Sequence, residues 1–359
     1  LFWTIAAIAA TISGVAVMTV LSPSVLLSSP GPGMEAVMRK ILRRGKVAAA
    51  ALTAVALGLA AGFVLGMNSG AGAAAAAPRV AAGGIAAGYT AVDPRDPAAA
   101  RQVFLGQPLS GNAPIFPGDP PFRWQLWNCV NAHPGIPRCA QGSGYTLEQI
   151  QSLGTHTGTH ISAPCHFHEG APCLNQLPEK FFGLRPLIVI NVKPLIASRH
   201  GNGDFFITTS YIQDWLKTSG CGAIPQDSYV VLYTGLSGFY HLGNQRVPGL
   251  YNDYYDDVPG FDAASTKWLW QHGALGTGAD TFGPDATMDQ DFSSTDTITG
   301  LGGITLENMG PGLAQMRACG DWLEINGPRL ASTSQDQLGG SLDFSGAWMG
   351  MDGWTLKTA

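Results

Sequence analysis

Residues 156–168 read H-T-G-T-H-I-S-A-P-C-H-F-H, and four of the chain's eight histidines stand in these thirteen positions. Imidazole is the commonest protein ligand for zinc and also serves manganese and iron. A bound divalent ion lowers the pKa of its water from about 16 to about 7, which makes hydroxide available at neutral pH to attack a carbonyl. A polar loop that happens to carry histidine is the better reading for one such residue. It is the poorer one for four at this density.

Spacing restricts how the histidines can cooperate. On a flat strand His156 and His160 would share a face but lie about 13 Å apart, at roughly 3.3 Å per residue. One ion about 2 Å from each nitrogen cannot hold both from there. A helical turn would bring them to about 6 Å, and Gly158 between them permits a sharp loop. Shared ligation therefore requires the backbone to curl at 156–160. Pro164 then ends any helix and turns Cys165 and His166 back.

The elements that must position this stretch are legible around it. V-F-L-G-Q-P-L-S from Val103 reads as a strand, and P-I-F-P-G-D-P-P-F as an extended, proline-stiffened segment. P-L-I-V-I-N-V at Pro186–Val192 and S-Y-V-V-L-Y-T-G at Ser228–Gly235 read as buried strands. T-S-Y-I-Q-D-W-L at 209–216 has helical spacing, with Thr209 or Ser210 as its cap. Residues 262–273 read as a helix capped by Asp262 and stopped at Gly273. Strands at A-L-G-T-G-A-D and at I-T-L-E-N from Ile304 follow, whereas the Gly/Ser-rich last forty residues resist assignment. Alternation of strands with a few helices predicts an α/β fold on a mixed sheet. No G-x-G-x-x-G or phosphate loop follows a strand, so nucleotide chemistry has no support. A G-x-S-x-G elbow is absent too, G-L-S-G at Gly235 coming nearest.

The formal charge of -5, with no basic stripe, argues against nucleic acid as a partner. M-R-K-I-L-R-R-G-K from Met38, an apolar run from Val47 and small residues around Ala75–Ala77 follow the order of an export signal. An uncleaved membrane tether is the alternative, because the run is long enough to span. The expected organisation is an apolar leader or mis-assigned upstream stretch over 1–33, a signal or anchor over 34–77, a flexible linker over 78–102 and one domain over 103–359. The predicted location is outside the cytoplasm. All six cysteines lie in the domain, and an even number behind an export signal suggests disulfides. Local closure favours Cys129 with Cys139 and Cys165 with Cys173, leaving Cys221 with Cys319. The competing role for Cys165 is a metal ligand.

The histidine stretch resembles the H-x-G-T-H-x-D-x-P-x-H signature of the cyclase family of metal-dependent hydrolases, which includes kynurenine formamidase (arylformamidase) and isatin hydrolase. His156, Gly158, Thr159, His160, Pro164 and His166 fall on the pattern. F-P-G-D-P at 116–120 resembles the family's opening segment, and V-V-L-Y-T-G at 230–235, V-P-G-F-D-A-A-S-T-K-W-L at 258–269, G-A-D-T at 278–281 and T-I-T-G-L-G-G-I-T-L-E-N at 297–308 are similar to its later segments, in the same order. Three positions depart. Ser162 stands where the family has a metal-binding aspartate, Thr295 where it has a second-site histidine, and Tyr233 where it usually has arginine.

The resemblance implies a swivelling β/β/α fold with His156, His160 and Glu307 as ligands of one divalent ion, zinc or manganese. His166 is a further candidate ligand. A serine hydroxyl replaces a carboxylate poorly, so a second ion is not expected. Asp296 could supply a carboxylate if the register shifts by one, and His168 and Glu169 are near in sequence. Freed of a second ion, His166 becomes the general base, with Ser162 bonded to the attacking water. Trp124, Trp127, Phe167, Phe181 and Phe182 are candidates to wall an aromatic substrate pocket. The implied activity is hydrolysis of a small amide (arylformamide-like), ester or lactone, in a homodimer or homotetramer. The alternatives are a lyase or cyclase of the same family and a non-catalytic binding protein on a decayed scaffold.

Overall fold

In the computed structural model the runs read as buried strands form the middle of one large sheet. The structure describes residues 95–96, 98–116, 118–199, 203–242, 257–330 and 344–356, together with 11–12 and 15–16. The chain divides into a unit Leu1–Ala73 and a unit Ala74–Ala359. In the first, β1 (Thr11–Ile12) pairs antiparallel with β2 (Val15–Ala16). The stretches expected to be leader and export signal otherwise lie outside the described residues. No helix among the described residues is long and apolar enough to cross a membrane.

The second unit begins with β3 (Ala100–Phe104), which starts inside the stretch expected to be linker. An arm follows, made of β4 (Arg123–Asn128) and β5 (Leu147–Ser152), antiparallel to each other and paired with no other strand among the described residues. Then come β6 (His160–Ser162), β7 (Gly183–Asn191), helix α1 (Lys193–Ser198), β8 (Phe206–Ile207), α2 (Thr209–Thr218) and β9 (Ser228–Tyr233). The chain continues through β10 (Gly260–Phe261), α3 (Ala263–Gln271), β11 (Ala274–Ala279), α4 (Ser293–Gly300) and β12 (Ile304–Glu307). It closes with β13 (Asp321–Asn326), β14 (Gly346–Trp348) and β15 (Gly350–Leu356). Nine strands share the sheet in the order β14-β6-β12-β11-β9-β7-β13-β15-β3. The central four, β12, β11, β9 and β7, run parallel, and every outer pairing is antiparallel.

Both faces of the centre are covered, which is why its strands are continuously apolar rather than alternating. Leu187, Val189, Tyr229 and Val231 face one core, which also takes Ile161, Leu306 and Met351. Ile188, Ile190, Val230 and Leu232 face the other, beneath Ile212 and Leu216 of α2 and Leu269 of α3. Each such side chain contributes about 1.5–3 kcal/mol by leaving water. Asp262 caps α3 as expected, its carboxylate accepting the Ser265 N–H at 2.6 Å. The cap of α2 is Thr208, one residue before those expected.

Two regions carry more structure than the sequence suggests. The last forty residues hold β14 and β15. Helix α4 begins at a left-handed Phe292 with no side-chain cap of its own. Asp285 replaces that cap from outside, accepting the Ser294 and Thr295 N–H groups at 2.8 and 3.1 Å. The three disulfides are Cys129–Cys139, Cys165–Cys173 and Cys221–Cys319, the pairing that local closure favours. Cys165 is therefore not a metal ligand.

Candidate active site

Register brings the chemistry together. In the antiparallel pair β6–β12, His160 lies opposite Glu307 and Ser162 opposite Thr305. Directly opposed residues in such a pair share a face, and so do residues two apart on one strand. All four side chains therefore project to the same side. Glu307 Oε1 accepts from Ser162 Oγ at 2.9 Å and from Thr305 Oγ1 at 2.5 Å, while Oε2 lies 3.1 Å from His160 Nε2.

The turn before β6 curls as shared ligation requires. Gly158 has φ +76°, a left-handed conformation that favours glycine. The curl brings the His156 and His160 rings to 5.1 Å between centroids, edge to face. Pro164 opens a short 3-10 turn that stacks His166 on His156 at 4.1 Å.

Donor and acceptor bookkeeping fixes the protons. The Gly158 carbonyl can only accept, so the His160 group 2.8 Å from it is Nδ1–H. His160 Nε2 is then the nitrogen turned toward Glu307. It is fully buried and lies 3.1 Å from Glu307 Oε2, which accepts from it when the ring is protonated. Burial would raise the Glu307 carboxyl, but His160 beside it outweighs that and holds it at about 2. Burial would likewise lower His160, and Glu307 reverses the direction to a raised pKa. The ionised Glu307 accepts the single Ser162 hydroxyl proton. Ser162 Oγ must therefore accept from His156 Nδ1–H, 3.2 Å away. Burial, reinforced by His160 and His166, pushes His156 down to about 3, so it is neutral at ordinary pH. Its Nε2 lone pair accepts from Ser345 Oγ at 3.1 Å. One directed chain results, Ser345 to His156 to Ser162 to Glu307.

Two donors about 3 Å apart are what a single ion about 2 Å from each requires. His160 Nε2 and Glu307 Oε2 fit that description once the proton between them is released. Among the described residues no three such donors converge on one point, because both ring nitrogens of His156 face serine hydroxyls. Of the expected ligands, His160 and Glu307 meet directly and His156 joins them through Ser162. His166 packs on His156 and Phe167, keeps an exposed face, and has a pKa lowered chiefly by desolvation.

Other expectations are corrected. Asp296 lies at the surface, its main-chain carbonyl 2.9 Å and its carboxylate 3.8 Å from His168 Nε2, so it restores no carboxylate to the site. Glu169 is exposed. Thr295 donates to Asp285 rather than facing Glu307. Phe181 is core, Phe182 packs against that core, and Trp124 and Trp127 are exposed on the arm. Only Phe167 of the expected aromatic wall stands at the site, 6.2 Å from Phe292, which in turn meets Phe116 at 5.9 Å.

The residue most clearly overlooked is Asp119, in F-P-G-D-P. Burial raises its pKa, His160 and His166 pull it back, and Glu307 adds to the rise. The neighbouring Pro120 carbonyl accepts from Thr157 Oγ1 at 3.3 Å, which ties this segment to the histidine turn. A carboxylate between two prolines in a segment singled out for its similarity was the available signal.

A family model of the cyclases matches residues 103–286, just over half of the chain. The chain belongs to the cyclase family. Its cyclase segment is 32% identical over 100 residues to kynurenine formamidase of Bordetella petrii, a match covering 27% of this chain and 42% of that protein. Kynurenine formamidase of Bacillus cereus is 27% identical over 177 residues, 48% of this chain and 76% of that one. The chain thus spans about two-fifths of the length of the first of these cyclase relatives. Isatin hydrolase A of Labrenzia aggregata superposes with a TM-score of 0.57 at 23% identity, covering 72% of this chain and 94% of that one. An isatin hydrolase bound to the product analogue thioisatinate gives 0.58 at 17%, with 72% and 93% covered. These two likenesses establish the cyclase fold.

Proposed function

We propose that this cyclase-family chain is an exported hydrolase that cleaves a small amide, of the arylformamide kind, an ester or a lactone, with one divalent ion, zinc or manganese. The observation that carries the reading is the buried His160 Nε2 set 3.1 Å from an ionised Glu307, two donor atoms that an ion displacing the proton between them would share. When bound there, such an ion lowers the pKa of water and polarises a carbonyl. The names of the cyclase relatives support hydrolysis of a carbon–nitrogen bond.

The chain's own residues divide the remaining work. Gly158 fixes the His160 tautomer through Nδ1–H, so that Nε2 faces inward. Ser162 and Thr305 hold Glu307 by its other oxygen. His166, neutral and reachable from solvent, takes a proton from water and returns it to the leaving nitrogen or oxygen. Phe167 and Phe292 supply apolar surface for a ring-bearing substrate. A homodimer or homotetramer belongs to the same reading.

The test combines zinc content of the purified full chain with turnover of an aryl formamide, an aryl ester and an aromatic lactone. His160→Ala is expected to abolish both. His166→Ala is expected to keep the zinc and lose roughly 10² to 10⁴ in rate. A protein that retains no metal and turns over none of the three substrates would sink the proposal. Export is tested separately by sequencing the mature N-terminus, with cleavage expected near Ala75–Ala77. Protein still carrying residues 34–77 and fractionating with membranes would replace cleavage by tethering, and cytoplasmic protein would overturn export.

A further inference from the structure

Thr159 stands directly before His160, and Asn308 directly after Glu307. The register of β6 on β12 ends with His160 opposite Glu307, so these two residues are the first beyond it. Past that point each strand's main chain is bound to a different outer neighbour. The Thr159 carbonyl accepts the Met349 N–H at 3.0 Å, next to β14, and the Asn308 N–H donates to the Thr281 carbonyl at 2.6 Å, just past β11. Asn308 is also left-handed, at φ +52°, which takes it out of the extended strand. With these main-chain bonds directed outward, the ladder itself does not close the end that carries the His160–Glu307 pair.

The Thr159 side chain closes it. Its hydroxyl donates to the Asn308 carbonyl at 2.6 Å, a group that can only accept. The same oxygen accepts the Gln107 N–H at 2.7 Å. Gln107 is anchored in turn. Its Nε2 donates to the Ser237 carbonyl at 3.0 Å, and Ser237 Oγ donates to the buried Asp280 carboxylate at 2.9 Å. Thr159, Gln107 and Asn308 are all buried, where water competes little for such bonds. Ser162 and Thr305 orient the Glu307 carboxylate, whereas Thr159 ties together the two backbones that carry Glu307 and His160.

We propose that Thr159 is a positioning residue, its hydroxyl clipping β6 to β12 so that His160 Nε2 and Glu307 Oε2 keep their 3.1 Å separation. The clip acts in the ion-free protein. Its effect on zinc rests on the function proposed above. Groups that orient the side chains of a metal site are typically worth roughly 10- to 100-fold in affinity.

The experiment uses the full chain labelled with 15N-histidine, stripped of metal and held at one pH, with the His160 Nε2 resonance reporting its contact with Glu307. Thr159→Val, which keeps the shape and deletes the hydroxyl, is expected to move that resonance toward its position in Glu307→Gln. Thr159→Ser should restore it. Thr299→Val controls for loss of a buried hydroxyl as such, because Thr299 Oγ1 donates to the Thr295 carbonyl at 2.6 Å within α4. It should leave the resonance unmoved. Titration with Zn²⁺ against a chromogenic chelator should then find binding to Thr159→Val weaker by roughly 10- to 100-fold, with Thr159→Ser and Thr299→Val close to wild type. Gln107→Leu, which releases Gln107 from Ser237, is expected to shift the resonance the same way by less, and it decides the matter should Thr159→Val not fold. An unmoved resonance in both variants, or in whichever of them folds, overturns the proposal, and so does an equal shift in Thr299→Val. A shift in Thr159→Val when wild type binds no zinc overturns the metal-site reading and leaves the clip standing. Zinc bound equally tightly by wild type and Thr159→Val, with no shift, overturns the clip alone.

Discussion

Glu307 is held by two hydroxyl donors on one oxygen and faces a buried imidazole with the other. Removing one partner of a buried pair leaves the other uncompensated, which typically costs about 3–5 kcal/mol. Glu307→Ala in metal-free protein is therefore expected to lose about that much in urea unfolding, provided the slope of the transition is unchanged. A loss below about 1 kcal/mol would mean that His160 and Glu307 do not form a coupled pair. Ser162→Asp is informative in the opposite way. Ser162 is fully buried and 2.9 Å from Glu307 Oε1, so the variant sets carboxylate against carboxylate. It should be destabilised by about 3 kcal/mol or more without metal and should recover on zinc addition. A midpoint indifferent to zinc would show that no cation enters between them.

Helix α4 illustrates how an element can depend on a residue outside it. Asp285 caps it with bonds to two N–H groups and to the Thr295 hydroxyl. Burial nevertheless pushes this carboxyl up to about 7, above an unfolded value of about 3.9. Between those values the native state holds a proton that the unfolded state has lost. This group's contribution to stability therefore falls as pH rises from about 4 to about 7. Urea midpoints of wild type and Asp285→Asn across that range should differ in slope, with the downward component absent from the variant. Parallel profiles would show that Asp285 is ionised throughout. At the sheet edge, Gly346→Ala places a methyl 2.6 Å from His156 Cε1 and 2.8 Å from the Ile161 carbonyl. Overpacking of that kind costs typically about 1–3 kcal/mol. A melting temperature equal to wild type would mean that β14 can lift away from β6.

At the scale of the molecule, covalent links matter unequally. Cys221–Cys319 spans 98 residues, whereas the other two pairs span 10 and 8. On the chain-entropy estimate a loop of about 100 residues is worth about 4.7 kcal/mol and short loops less. The double substitution Cys221→Ser with Cys319→Ser should lower stability by about 4–5 kcal/mol. The corresponding change at Cys129 and Cys139 is expected to matter chiefly to the arm, whose two strands have no other sheet partner among the described residues. Equal losses at both pairs would contradict this assignment.

Much of the architecture was readable in the chain itself. The apolar runs at Pro186–Val192 and Ser228–Gly235 mark central strands because a strand buried on both faces cannot alternate. Asp262 marks its helix, and short cysteine spacing marks the local disulfides, because capping and closure are local events. His156, Gly158, His160 and Pro164 announced a curl on the condition that the two histidines act together, because a flat strand would hold them about 13 Å apart. What lay beyond the sequence is long-range register. Only pairing of β6 with β12 and β14 sets Glu307 and Ser345 against the histidines, across 145 and 189 residues. The same pairing commits both nitrogens of His156 to hydroxyls. No local propensity encodes that choice, because it depends on which strands meet and in which register.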